Sequence, residues 1–196
     1  SWANGILEYE TDVIIILRGF VGRIEAFFSF ALSQFSFLWM KSWQGGSFQY
    51  FLPPLLVENE NHGWFNIALR AAARAQIVNG VTITKDGQKI YLFGKSEAAT
   101  LPTYLGELYA YFSVGEPSIA HERHPETFQP VFTPYAGFSL LGWYPEEVYA
   151  LAKDYEKVGM LHPKYGFLES IQLVDGIPQK ISIAMAHHKG MTLLAF

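Results

Sequence analysis

The chain opens on its most apolar stretch. Residues 13–40 begin Val13-Ile14-Ile15-Ile16-Leu17, are broken by Arg18, Arg23 and Glu25, and then carry no charge from Ala26 to Met40. Phe27, Phe30, Ala31, Gln34 and Leu38 share one helical face, but their neighbours are apolar too, the pattern of a helix buried on all sides. The charge-free run is 15 residues long, short of the roughly 20 that span a bilayer. A buried helix is the first reading of this region and membrane insertion the second.

Further along, the pattern resolves into separate elements. Pro53-Pro54 ends or redirects a helix, and Asn59 to Gly63 reads as a polar turn. From Trp64 to Val78, Phe65, Leu69, Ala72 and Ala73 recur at helical spacing with Arg70 and Arg74 flanking them, and Asn79-Gly80 closes the helix. Val81 to Phe93 alternates β-branched residues around Lys85-Asp86-Gly87, which predicts a small hairpin. Residues 94–133, with Pro102, Pro117, Pro125 and Pro130, read as loop, the kind of long connection that carries function. Pro145 starts a helix that Glu146 and Glu147 support electrostatically and Gly159 ends. Tyr165-Gly166-Phe167 begins a loop or short strand, and Ala184 to Phe196 reads as a final helix interrupted at Gly190. The sum predicts a mainly α protein with long loops and one small β-hairpin.

Composition narrows the function. Half of the 196 residues are hydrophobic, enough for one sizeable core, and 16% are charged, below the roughly 25% of average proteins, which excludes intrinsic disorder. The net charge is −4, from 18 acids against 14 bases. With no basic tract, this argues against a nucleic-acid partner or a polybasic membrane-surface role. There is no cysteine, hence no disulfide scaffold, thiolate zinc site or cysteine nucleophile. Aromatic residues reach 16%; such rings either pack a core or line a cleft for amphipathic ligands such as sugars. His121-Glu122-Arg123-His124 spaces two imidazoles by three, but Pro125 follows and no third ligand is indicated, so no metal centre is expected. Neither a phosphate loop nor a nucleophile elbow is present, and no cofactor is implied. The start at Ser1 and the uncapped apolar stop at Leu193-Leu194-Ala195-Phe196 read as a partial chain, and no signal peptide is visible.

One short pattern occurs twice. Ser1-Trp2, Gly5 and Tyr9 are echoed by Ser42-Trp43, Gly46 and Tyr50 at an offset of 41, a spacing that fits a helical-hairpin repeat or arises by chance. The second copy heads a series of motifs. Ser42-Trp43-Gln44-Gly45-Gly46-Ser47-Phe48-Gln49-Tyr50 with Leu52-Pro53 is followed by Phe93-Gly94-Lys95-Ser96-Glu97-Ala98 and Thr133-Pro134-Tyr135-Ala136. Tyr165-Gly166-Phe167-Leu168-Glu169-Ser170-Ile171 and Ala186-His187-His188-Lys189-Gly190-Met191 complete it. In order and spacing these motifs resemble the glycoamylase-like family, which includes endo-β-1,2-glucanases and the transglycosylating domain of cyclic β-1,2-glucan synthases. The resemblance covers residues 42–196 and leaves residues 1–41 as a poorly matched apolar helical segment. It implies a partial (α/α)6 toroid, since a whole one needs roughly twelve helices. It also implies a β-glucan oligosaccharide or polysaccharide as partner, and a periplasmic setting or membrane association through a parent protein.

Glycosidic cleavage needs two carboxyl groups flanking the bond, so the acids inside these motifs are the candidates. Glu97 lies among small and polar residues where the family carries an acid; a solvated loop glutamate is the competing reading. Glu169 follows Tyr165-Gly166-Phe167, where apolar neighbours suit a general acid, though a hydrogen-bonded structural carboxylate fits equally. Gln49 stands where the family has Glu, and an amide can neither donate that proton nor act as the base. Glu8 holds the equivalent place in the first copy. His187 and His188 open the last helix, where a neutral imidazole can bond a sugar hydroxyl or a carboxylate. Trp43, Tyr135 and Tyr165 are candidate sugar platforms, with core packing as the alternative for each. The expectation is a hydrolase or transglycosylase acting on glucan, with a degenerate glycan-binding domain or a membrane-associated piece of a glucan synthase as rivals.

Overall fold

The computed structural model describes residues 41–56, 63–103, 107–122 and 129–196. The apolar segment 13–40, the first copy of the echo with Glu8, and most of the Asn59–Gly63 turn lie outside them. Helices α1 (Ser47–Leu56) and α2 (Gly63–Val78) come first, followed by strands β1 (Val81–Lys85), β2 (Gln88–Leu92), β3 (Glu97–Thr100) and β4 (Ala110–Ser113). After a 3-10 turn at Pro117–Ile119 come β5 (Val131–Phe132), α3 (Pro134–Phe138), α4 (Pro145–Lys157), β6 (Leu161–His162), β7 (Gly166–Phe167), β8 (Ser170–Val174), β9 (Ile177–Ile181) and α5 (Ala186–Ala195).

Among the described residues, five helices and nine strands are not a mainly α fold, and the arrangement is not a partial (α/α)6 toroid. The difference lies in residues 94–133, where short strands stand in place of expected loop, and in the segment from Tyr165, where the short strand at Gly166–Phe167 is followed by the β8–β9 hairpin. β3 pairs antiparallel with β4, β6 with β7, and β8 forms the centre of a three-stranded antiparallel sheet in the order β5-β8-β9. The hairpin at 81–93 is present as β1–β2, in register from Val81 opposite Leu92 to Lys85 opposite Gln88. Its Asp86 and Gly87 both have positive φ (51° and 74°), the type I′ geometry whose twist matches that of the strands. The β8–β9 hairpin repeats the device at Asp175 and Gly176, with φ of 52° and 78°.

The helices follow the sequence pattern more closely. Pro53 and Pro54 lie in the last turn of α1, which stops two residues later at Leu56. α4 starts at Pro145 and carries Glu146 and Glu147 in its first turn, and Gly159 just beyond its end has a φ of +77°. α5 begins at Ala186 and runs through Gly190 without a break, since a single glycine costs a helix only about 1 kcal/mol. Among the described residues no helix is long and apolar enough to cross a membrane.

The main core gathers Phe51 of α1, Leu69 and Ala73 of α2, Ile90 and Leu92 of β2, Phe138 of α3, and Leu151 and Tyr155 of α4. It also takes Ile171 and Leu173 of β8, so helices and strands share one interior. A smaller group, Tyr135, Ala136 and Met191 with Leu52, joins α3, α5 and α1. Ala98, Val114 and Val131 form a third, on one face of the β3–β4 ribbon. The opposite face of that ribbon carries the polar chemistry.

Candidate active site

Side chains on a strand alternate between faces. In β3–β4, Glu97 stands opposite Ser113 and Ala99 opposite Tyr111, so Glu97, Ser113 and Tyr111 share one face while Ala98 goes to the apolar side. Glu97 is half-buried. Its Oε2 accepts a hydrogen bond from Ser96 Oγ at 2.6 Å and its Oε1 one from Ser113 Oγ at 3.2 Å. Gln49 Nε2 approaches Oε1 at 3.5 Å, and the Tyr135 hydroxyl donates to the Glu97 backbone carbonyl at 2.8 Å while lying 3.4 Å from Oε2.

The start of α1 is fitted closely against this carboxylate. Ser96 Oγ accepts from the Phe48 backbone N–H at 3.0 Å, so an otherwise unpaired first-turn amide acts through a serine on the acid, a contact that favours negative charge. A Cβ on Gly46 would meet Ser96 Oγ at 3.2 Å and Glu97 Oε1 at 3.3 Å, so any side chain there would press on the acid. Gly45 has a φ of +72°, and its Cβ would sit 2.2 Å from the Glu116 carbonyl; only glycine permits that approach. Gln76, fully buried, ties the same loop to the strand leader. Its Nε2 donates to the carbonyls of Gly45 (2.9 Å) and Lys95 (3.1 Å), and its Oε1 accepts from Lys95 N–H (2.8 Å). Lys95 Nζ in turn pairs with the buried Glu116 at 2.6 Å.

Glu169 has the opposite setting. It is 3% exposed, just before β8, and its Oε1 lies 2.7 Å from Nδ1 of His188, which is 4% exposed. The approach is off the axis of an aligned hydrogen bond. Ala99 N–H reaches the same oxygen at 3.4 Å, and Ser170 Oγ donates to the Ala99 carbonyl. Gln172 Oε1 accepts from Leu101 N–H at 2.8 Å. The free edge of β3 is therefore satisfied by side chains from the β8 segment instead of by a further strand.

The imidazole of His188 links the two acids. It stacks on the Tyr135 ring at 3.8 Å between centroids, with 19° between planes, and its Nε2 lies 3.2 Å from the Tyr111 hydroxyl. Burial, then the negative charge of Glu97 and of Glu169, pushes the Tyr111 hydroxyl up to about 12. Burial and the nearby Glu97 hold Tyr135 well above the ordinary tyrosine range. Both stay as neutral donors at neutral pH. His187 is exposed beside Tyr111; burial first and the neighbouring His188 second lower its pKa, with Glu169 pulling the other way.

Of the residues singled out by sequence, the structure brings together Glu97, Gln49, Tyr135, Glu169 and His188, with His187 alongside. Trp43 is exposed on the segment before α1. Tyr165 is exposed in the β6–β7 turn, stacked on His162 with Lys164 over its ring, none of which belongs to this cluster. A concavity of about 350 Å³ lined by Pro54, Leu55, Asn66, Trp143 and Ala195 among others also involves none of the cluster's residues. Ser96, Tyr111 and Ser113 were not foreseen. Ser96 belongs to the Phe93–Ala98 motif, and Ala110-Tyr111-Phe112-Ser113 is a short aromatic strand signal within a proline-rich stretch.

No family model matches the chain. It is 27% identical over 160 residues to the cyclic beta-(1,2)-glucan synthase NdvB of Rhizobium meliloti (strain 1021), an alignment that takes in 79% of this chain and 5% of that protein. The chain thus spans about one twentieth of the curated relative it matches. It is similar to a region of that protein.

Proposed function

We propose that this chain handles a β-1,2-linked glucan at the β3–β4 face and acts on its glycosidic bonds, by transfer or hydrolysis, with Glu97 as the working carboxylate. One observation carries the reading: a half-exposed acid is held by two serine hydroxyls and flanked by a tyrosine and an amide, next to a second, buried acid paired with histidine. Two carboxyl groups in contrasting environments are what acid–base cleavage of a glycoside employs. The similarity to a glucan synthase supplies the substrate class. Full-chain protein incubated with β-1,2-glucan oligosaccharides is expected to change their length distribution, read by mass spectrometry. Glu97→Gln is expected to lower the rate by about 10³-fold, within the usual span for a catalytic acid or base. Undiminished turnover by Glu97→Gln would remove Glu97 from the reaction.

Gln49 favours a second reading, that of a domain which binds glycan without cleaving it. Its Oε1 accepts from Gln44 N–H at 3.1 Å, which turns Nε2 towards Glu97. A glutamate there would bring two carboxylates together, and one would hold its proton to higher pH. If the parent binds oligosaccharide without altering it, Gln49→Glu is expected to introduce cleavage on the acid side of neutrality, where that shared proton is present. A parent that already cleaves, and that Gln49→Glu slows, argues for the first reading.

A further inference from the structure

We propose that Tyr111 is the catalytic residue through which the buried Glu169–His188 pair exchanges a proton with the bound glycan. The inference rests on the glycan reading above and adds a group that the sequence motifs did not contain. Burial is the first ground. Glu169 and His188 are 3% and 4% exposed, whereas Tyr111 is 44% exposed. Neither buried group can touch a ligand, whereas the hydroxyl of the exposed Tyr111 is bonded to the inner pair.

The direction of the bonds is the second ground. The negative charge of Glu169, with a carboxylate oxygen 2.7 Å from Nδ1, favours hydrogen on that nitrogen, and in a neutral imidazole Nε2 is then the acceptor. The Tyr111 hydroxyl, 3.2 Å from Nε2, then donates inward, and its oxygen lone pairs are available to a ligand. Tyr135, stacked on the imidazole at 3.8 Å, prevents the ring from turning away. The third ground is strand parity, which puts Tyr111 on the face that bears Glu97 and Ser113.

The proton balance is closed without a co-reactant. When a glycan hydroxyl or water gives its proton to the Tyr111 oxygen, the Tyr111 proton passes to His188 Nε2, and the imidazolium formed is stabilised by Glu169. In reverse, Nε2–H returns its proton to Tyr111 as Tyr111 protonates the departing glycosidic oxygen. The raised Tyr111 pKa accords with a conduit that keeps its proton at rest, and it argues against a phenolate nucleophile. The charged and titratable groups around the relay are Glu97, Glu169, Tyr135, His187 and Lys189, the last two lowered chiefly by burial.

Two measurements on the full chain test this separately from the substrate assignment. Without any glycan, imidazole nitrogen NMR is expected to show His188 with hydrogen on Nδ1 and a hydrogen-bonded, unprotonated Nε2. Tyr111→Phe, which keeps the ring, should shift the Nε2 signal and leave Nδ1 protonated. Hydrogen on Nε2 in the parent, or an Nε2 signal indifferent to Tyr111→Phe, overturns the relay. With β-1,2-glucan oligosaccharides, Tyr111→Phe is expected to reduce kcat about 100-fold with KM little changed, and to flatten one limb of the pH–rate profile. Turnover in the parent with kcat and pH profile unaltered in Tyr111→Phe defeats the relay while the glycan reading stands. If no β-1,2-glucan is altered or bound by the parent, the substrate reading fails, and the nitrogen spectrum still decides the relay.

Discussion

Glu97 and Glu169 lie at two ends of one polar cluster, yet they are held by different means. Glu97 is cradled by hydroxyls and amides from four segments, and its carboxylate remains partly open. Glu169 is closed off, with a histidine as its nearest charge partner. The contrast separates two jobs that a sequence motif cannot distinguish. An open acid in a polar cradle can meet a ligand and loses little when altered, whereas a buried acid orders its surroundings and acts only through its neighbours. Removal of each should therefore be felt in a different measurement.

The largest effect is expected at the closed end. Glu169→Ala leaves a void beside the buried imidazole, whose Nε2 keeps its contact with Tyr111, and takes the acceptor from Ala99 N–H, at a cost of about 2–4 kcal/mol. Chemical denaturation should show a lower midpoint with an unchanged slope. Glu97→Ala takes the acceptor from the buried Ser96 hydroxyl, while Tyr135 keeps its bond to the backbone carbonyl of residue 97, and should cost about 1–2 kcal/mol. Equal losses at the two positions would mean that the carboxylates are not in contrasting environments.

Gly45→Ala comes next and examines what shapes the open end. The new methyl group would need a left-handed residue to sit against the Glu116 carbonyl. Strain of that kind costs about 1–3 kcal/mol. The loop it displaces also holds Gln76 and, through Lys95, the start of β3, so glucan turnover should fall more steeply than stability. A variant that is destabilised but retains full turnover per folded molecule would show that Glu97 is positioned without the Gly45 loop.

Sequence reasoning fared unevenly across these same regions, for physical reasons. Lys85-Asp86-Gly87 announced a hairpin because alternating β-branched residues flanked it. Asp175-Gly176 bears the same turn signal, but the pattern from Tyr165 reads only as a loop or short strand and assigns no hairpin after it. β3 is harder still, since Glu97-Ala98-Ala99-Thr100 has no intrinsic strand preference. It is a strand because β4 pairs with one edge and side chains of the β8 segment satisfy the other, which is tertiary context. The helices, by contrast, carried period and end signals of their own at Pro145 and Gly159. Of the candidate cluster, the motifs contain both acids and the histidine but not Tyr111, which joins it through strand parity and not through a motif.

The smallest expected effect uses Tyr111 as a reporter on both acids at once. Its pKa is pushed up to about 12 by burial first, Glu97 second and Glu169 third. Replacing Glu97 by Gln should therefore lower the Tyr111 titration more than replacing Glu169 by Gln, read from the ring carbon signal in an alkaline NMR titration. A larger drop in Glu169→Gln would place the buried acid, not the open one, closer in effect to the phenol. The sign for stability follows from the same shift. The unfolded phenol ionises near 10 while the folded one holds its proton to about 12, so the folded state binds more protons in that interval. Stability contributed by Tyr111 is complete below pH 10 and is lost as pH rises towards 12. Tyr50, also raised to about 12 by burial, adds to the same decline. Tyr111→Phe should make that alkaline decline shallower. In Glu97→Gln the folded-state shift is smaller, so the decline should also be shallower than in the parent, by less than the phenylalanine variant achieves.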